Sequence, residues 1–160
     1  MIENMSEDKT KGIPSNNIRV ESICLIFSDK NRLLVGEDYD TVEKKFFYTP
    51  LGAEVKFNER TIDTIKREFR KELCAELTNI TLVTILENFY TWDCKKWHEI
   101  IFVYKADFLN KNFYEKNNFT FIESNKDFLK VKWINIQDCL RGKFCLVPEG
   151  LKEVLGKQIS

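Results

Sequence analysis

Glu68 and Glu72 stand four residues apart in the stretch RTIDTIKREFRKELCA, where Ile62, Ile65, Phe69 and Leu73 recur at spacings of three and four. That spacing predicts an amphipathic helix with one apolar stripe. It also stacks the two carboxylates about one turn apart on a single face. Like charges so placed repel. A hard divalent cation between them turns the repulsion into a binding site, because Mg²⁺ takes carboxylate oxygens. Glu59 lies on the loop just before the helix, where the chain can fold back toward the same face. Two glutamates on a charged helix are usually just a solvated face, so spacing alone does not decide for a metal site.

The order of the whole segment narrows the choice. PLGAEVKFNERTIDTIKREFRKELCA (50–75) resembles the box of the Nudix family, G-x5-E-x7-R-E-U-x-E-E-x-G-U, with U a bulky apolar residue. Aligned on Arg67, Glu68 and Phe69, the loop glutamate is Glu59 and Glu72 is the second member of the E-E pair. Pro50-Leu51-Gly52-Ala53 stands where many members have Pro-Gly-Gly-Gly. Three positions depart from the pattern. Ala53 replaces the first glycine, Lys71 the first glutamate of the pair, and Cys74 the closing glycine that usually ends the helix in a left-handed cap.

The resemblance implies an α/β fold, the Nudix α/β/α sandwich with a mixed central sheet and the loop-helix. It implies water attack on the pyrophosphate of a nucleoside diphosphate linked to another group, assisted by Mg²⁺ or Mn²⁺. Carried over by position, Glu68 and Glu72 are the principal metal ligands. Gly52 or Ala53 offers a backbone carbonyl, and Glu59 is a further ligand through water or an organiser. Arg67 pairs with Glu59 and fixes the loop against the helix. Glu68, Glu72 and Glu99 all remain candidates for the general base. Lys71 places an ammonium where the family has a carboxylate, so metal affinity is expected to fall. It either turns to solvent or touches a phosphate. The alternative is a domain that keeps fold and nucleotide pocket but has weakened turnover, acting as a binding or regulatory module; a purely structural scaffold is the third reading.

Composition excludes other classes. The chain has 160 residues, 43% hydrophobic and 31% charged, the profile of one globular domain with a proper core. Its 25 basic and 25 acidic residues cancel, so no basic field exists to hold an extended nucleic acid, whereas a nucleotide-sized ligand needs only a local arrangement. Cys24, Cys74, Cys94, Cys139 and Cys145 are scattered, with no C-x-x-C pair, which argues against a disulfide framework and a zinc site and for reduced thiols in a cytoplasmic protein. The polar start MIENMSEDKTKGIPSNN lacks a signal-like apolar stretch, and no run is long enough for a membrane span.

The elements follow in order. Residues 1–17 are expected to be a flexible lead-in, and 18–158 a single Nudix domain. IRVESICLIF (18–27) and RLLVGE (32–37) read as a strand pair joined at 28–31. Arg19 serves either a salt bridge or a ligand. Residues 38–43 read as a loop and KFFYT (45–49) as a short strand, from which Phe47 or Tyr48 stacks on a base if it does not pack in the core. After the helix come strands at 78–90 and 97–108, with 92–96 as their hairpin loop. His98, Ile100, Phe102 and Tyr104 share one face of the second strand, and Glu99, Ile101 and Val103 the other. HEIIFVY (98–104) resembles a segment of the ADP-ribose pyrophosphatase-like Nudix subgroup, which implies that Glu99 approaches the metal or acts as a base. His98, the single histidine, cannot build a metal site alone. Residues 110–126 read as a long substrate-selecting loop, 129–134 as a strand, and 136–140 as a short helix ended by Gly142. Pro148 is expected to start a last helix carrying Leu151, Val154 and Leu155. A nucleotide substrate is the expected partner, with a homodimer possible on family precedent.

Overall fold

In strand β1 (Arg19–Ser28), Ile23 and Leu25 alternate with Cys24 and Ile26, and all four are buried. Successive strand residues face opposite sides, so such a strand needs cover above and below. The computed structural model, which describes residues 16–29, 31–122 and 128–160, supplies both. On one side Ile23 and Leu25 join Leu33 and Val35 of β2 (Arg32–Asp40), Ile101 and Val103 of β6 (Lys95–Phe108) and Ile134 of β8 (Phe128–Asn135). Helices α2 (Ile136–Leu140) and α3 (Leu151–Ile159) close that core with Ile136, Cys139, Leu151, Val154 and Leu155. On the other side Cys24, Ile26, Leu34, Tyr104, Phe108 and Trp133 pack under Ile65, Phe69 and Leu73 of α1 (Thr61–Leu73). The result is the α/β/α sandwich that the box resemblance implies.

The sheet runs β5 (Leu77–Trp92), β6, β1, β2, β8, β7 (Asn118–Ile122), with β3 (Lys45–Thr49) on β2 and β4 (Gly52–Glu54) on β1. β1 is parallel to β6, while the other pairings of these strands are antiparallel, so the sheet is mixed. β1 and β2 pair only at Phe27–Leu33 and Ser28–Arg32. Beyond those rungs they part, β4 taking the edge of β1 at Glu21–Ile23 and β3 that of β2 at Gly36–Asp40. The box segment therefore enters at a split in the sheet and leads straight into α1. Among the described residues no helix is long and apolar enough to cross a membrane.

Several boundaries differ from the sequence expectation. β2 continues to Asp40, because β3 pairs with it along 36–40, and the expected loop at 38–43 shrinks accordingly. The β5–β6 connection is a two-residue turn at Asp93-Cys94, both with positive φ (50° and 59°), rather than a loop over 92–96. Within 110–126, Lys111–Glu115 form a 3₁₀ turn capped by Asn110 and Asn118–Ile122 pair with β8; 123–127 lie outside the described residues. Pro148 precedes the last helix, whose cap is Gly150 in the left-handed region. Gly142 does end α2, its N–H donating to the Cys139 carbonyl. The expectation for the lead-in falls almost wholly on 1–15, outside the described residues.

Candidate active site

The loop before α1 is tied down by Glu59. Its carboxylate accepts from Arg67 Nε (2.8 Å) and Nη2 (3.1 Å), from Thr64 Oγ1 (2.9 Å) and from the Lys56 N–H (3.1 Å). These contacts, that with Arg67 foremost, lower its pKa to about 2. Arg67 Nη2 also donates to the Glu54 carbonyl at 3.3 Å, joining β4, loop and helix in one clamp. The helix start is pinned from the sheet, Ser22 Oγ donating to the Thr61 carbonyl (2.8 Å) and Thr61 Oγ1 sharing a hydrogen bond with Tyr104 OH (2.6 Å).

Gly52 is a glycine for a steric reason. A Cβ there would stand 2.1 Å from the Ser22 carbonyl oxygen and 2.7 Å from Ile23 Cα. The Cys24 N–H donates to the Leu51 carbonyl and the Val55 N–H to the Val20 carbonyl. Alternate residues of an antiparallel strand pair with its neighbour. Leu51, Ala53 and Val55 thus face β1, and the Gly52 carbonyl turns to the edge where Arg67 meets the Glu54 carbonyl. The close approach to β1 falls on Gly52, so Ala53 fits without a collision of its own.

Glu68 and Glu72 lie side by side on α1, with side chains 13% and 8% exposed. Burial, then the charge of Glu72, pushes the Glu68 carboxyl up to about 7. Two cations flank the pair at equal distance: Arg67 Nη1 is 3.8 Å from Glu68 and Lys71 Nζ 3.8 Å from Glu72. Lys71 is itself mostly exposed. The helix ends at Cys74 in the left-handed conformation (φ 51°, ψ 35°), the role the box assigns to glycine.

Two largely buried carboxylates held together, with their flanking cations no nearer than 3.8 Å, have the donor chemistry of a divalent-cation site. Among the described residues no three acidic, histidine or cysteine side chains gather into a complete cage. Two carboxylates and a turned-out carbonyl suit Mg²⁺, which is commonly bound through one or two carboxylates with water and phosphate oxygens filling the rest.

Glu99 is elsewhere. It sits on β6 opposite Arg19 of β1, with Arg19 Nη2 at 3.8 Å, Asn88 Nδ2 at 3.2 Å and Tyr90 OH at 3.1 Å. Arg19 is ion-paired with Glu21, reaches Glu54 at 3.6 Å and lies over the Trp97 ring at 5.1 Å. The sequence reading named Arg19 and Glu99 separately and missed Glu21, Asn88, Tyr90 and Trp97. The available signal was an arginine and a glutamate on the same face of β1 as Ile23 and Leu25. Tyr48 is buried in the α2/α3-side core, edge-on to Phe144 at 5.1 Å, with Lys132 Nζ 4.9 Å from its ring centre and bonded to Glu37. Phe47 is half-buried. His98 hydrogen-bonds Glu87 at 2.9 Å and stacks on Phe89.

No protein-family model matches the sequence, and no curated protein does. Solved structures do match. A Nudix hydrolase from Nitrosomonas europaea superposes with a TM-score of 0.63 at 11% identity, covering 89% of this chain and 88% of that one. A MutT Nudix hydrolase from Burkholderia pseudomallei gives 0.62 at 19% identity, over 91% and 100%. A MutT protein from Bacillus halodurans gives 0.56 at 16% identity, over 87% and 80%. At these identities the likeness establishes the fold.

Proposed function

We propose that this chain, which has the Nudix hydrolase fold, is itself a Nudix hydrolase that cleaves the pyrophosphate of a nucleoside diphosphate linked to another moiety. The observation that carries the reading is the largely desolvated Glu68–Glu72 pair, beside a loop clamped by Glu59 and Arg67 at the box spacing. Neither the mixed sheet nor the apolar stripe of α1 requires two adjacent carboxyls to be desolvated. Their repulsion is what a bound cation relieves.

Glu68, Glu72 and the Gly52 carbonyl would hold Mg²⁺ or Mn²⁺. Once bound, that ion supplies charge neutralisation for the diphosphate and a lowered pKa for its water. The protein's own groups do the rest. Glu59 spends its oxygens on Arg67, Thr64 and Lys56 and so works as an organiser of the loop. Arg67 fixes the box strand to the helix, and the buried face of α1 keeps the carboxyls rigid. The raised Glu68 carboxyl belongs to the metal-free site, and a bound cation would lower it, so Glu68, Glu72 and Glu99 all stay candidates for the base. Glu99, bound up with Arg19, Asn88 and Tyr90, is the weaker candidate for base.

Lys71, 3.8 Å from Glu72, favours the second reading, a nucleotide-binding module with weakened turnover. One experiment separates the two. Nucleoside triphosphates, ADP-ribose, nucleotide sugars, dinucleoside polyphosphates and capped RNA are incubated with the protein in Mg²⁺ and in Mn²⁺, and phosphate and mononucleotide release are measured. Product from any of them that disappears in Glu72→Gln supports the hydrolase. No product from the whole panel sinks it.

A further inference from the structure

β5 ends the sheet. Among the described residues its inner edge pairs with β6, and no strand lies on its outer edge. An open edge presents unpaired N–H and C=O groups that recruit another strand, and natural edges are blunted by bulges, lysines or prolines. The first half of β5 is blunted in this way, by register shifts between Thr78 and Thr81 and between Leu82 and Thr84. The second half is not. Thr84 to Trp92 run in unbroken register with Val103 to Lys95. The whole strand lacks proline and holds Glu87 as its one charge, which is hydrogen-bonded to His98. This half also outruns its support. β1 pairs with β6 only from Glu99 onward, so Phe89 to His98 continue beyond it as a two-stranded arm, a structure marginal on its own.

Apolar side chains gather on the same edge. Pairing with Tyr104, Phe102 and His98 puts Leu82, Ile85 and Phe89 on one face of the sheet, and the bulge after Leu82 is what keeps Leu82 there. They are 46%, 49% and 62% exposed; on the opposite face Tyr90 and Trp92 are 37% and 38% exposed.

We propose that this chain forms a two-fold dimer in which β5 pairs antiparallel with β5 of a second copy, making one sheet continuous across both molecules. About such an axis, residues equidistant from the centre stand opposite each other. Centred on Asn88, the axis sets Glu87 opposite Phe89 and Ile85 opposite Thr91 on one face. On the other it sets Leu86 opposite Tyr90 and Thr84 opposite Trp92. No like charges meet, and the two Phe89 rings become diagonal neighbours within reach of each other. A centre on Glu87 would put two carboxylates face to face, which is destabilising, so charge selects the register. The five exposed apolar side chains present on the order of 400 Å² per copy. The nine rungs of backbone from Thr84 to Trp92 bring the contact toward the roughly 800 Å² per partner of a stable pair. A second copy always brings a strand of matching length and compatible charge. The dimer rests on the strand edge alone and stands or falls apart from the hydrolase reading.

The test is sedimentation velocity of the full chain from micromolar to sub-millimolar concentration, with amide hydrogen exchange at both ends of that range. Expected is a species of twice the 19.0 kDa chain mass, with the amides of 84–92 better protected at the higher concentration. Ile85→Lys and Phe89→Lys, both at exposed positions, should each weaken dimerisation by about a hundredfold and abolish the concentration-dependent protection, with the far-UV circular dichroism unchanged. Val42→Lys, at an exposed apolar residue between β2 and β3, should leave dimerisation within about twofold. The exchange measurement on the wild type decides the matter even if a lysine variant fails to fold. A wild type that stays monomeric throughout overturns the proposal, as does a dimer that both β5 variants leave intact. Protection that rises elsewhere but not on 84–92 overturns it too, and so does open-ended assembly, which a closed two-fold forbids.

Discussion

At the scale of single residues, the balance of charge around Glu68 and Glu72 governs everything the box can do. Lys71 approaches Glu72 at 3.8 Å from a largely exposed position, so it lowers the local negative charge without closing the site. Lys71→Glu changes that charge by two units a few ångströms from the pair. Mn²⁺ or Mg²⁺ binding, followed by calorimetry, should tighten by about tenfold or more, and any hydrolysis should speed up. Unchanged metal affinity would mean that the ion sits elsewhere. The raised Glu68 carboxyl has its own consequence for stability. A carboxyl whose folded pKa lies near 7, above the unfolded value, contributes stability below about pH 4.5 that is lost as pH rises through 7. The loss is at most about 3 kcal/mol. Glu68→Gln should therefore melt higher than wild type at pH 8, with the difference shrinking toward pH 5; equal melting temperatures at both pH values would contradict the burial argument. The acidic positions were legible from spacing. Their state was not, because it depends on how far the helix face is buried and on which cations reach it.

Among the elements, α1 was the most legible. Its apolar stripe fixed both its extent and its buried face, as Ile65, Phe69 and Leu73 show. Its end is strained, since Cys74 adopts a conformation that costs an L-residue with a Cβ about 1 kcal/mol or more. Cys74→Gly should raise the melting temperature by about 2–4 °C, and a lower value would mean that the cysteine side chain makes a contact worth more than the strain. The strands were legible as strands, less so in their lengths. β3 lengthens β2 by pairing with it, and a partner distant in register leaves no local mark on 38–40. The Asp93-Cys94 turn escaped because left-handed turn positions are normally advertised by Asn-Gly or Asp-Gly, and cysteine gives no such cue. The register shifts in β5 between Thr78 and Thr81 and between Leu82 and Thr84 are of the same kind. They answer to the curvature of the neighbouring strand rather than to the residues beside them.

For the whole molecule, the decisive arrangement is a parallel β1–β6 pairing between strands some eighty residues apart, which sets Arg19 against Glu99. Alternation along each strand foretold which residues share a face, yet nothing in either strand names its neighbour, so the second polar group was invisible until the fold assembled it. The same sheet divides the interior into one core under α1 and another under α2 and α3. Only the first supports the box helix. Ile65→Val trims the α1 core and Ile101→Val the other, each at a site no more than 1% exposed. Each should cost about 0.5–1.5 kcal/mol in denaturant unfolding. Because a sheet separates the two sites and they belong to different core clusters, the double variant should equal the sum within about 0.5 kcal/mol. Metal binding should respond to Ile65→Val and ignore Ile101→Val. A coupling above about 1 kcal/mol, or equal effects on metal affinity, would show that strain passes through the sheet and that the box is held by the whole domain rather than by its own half.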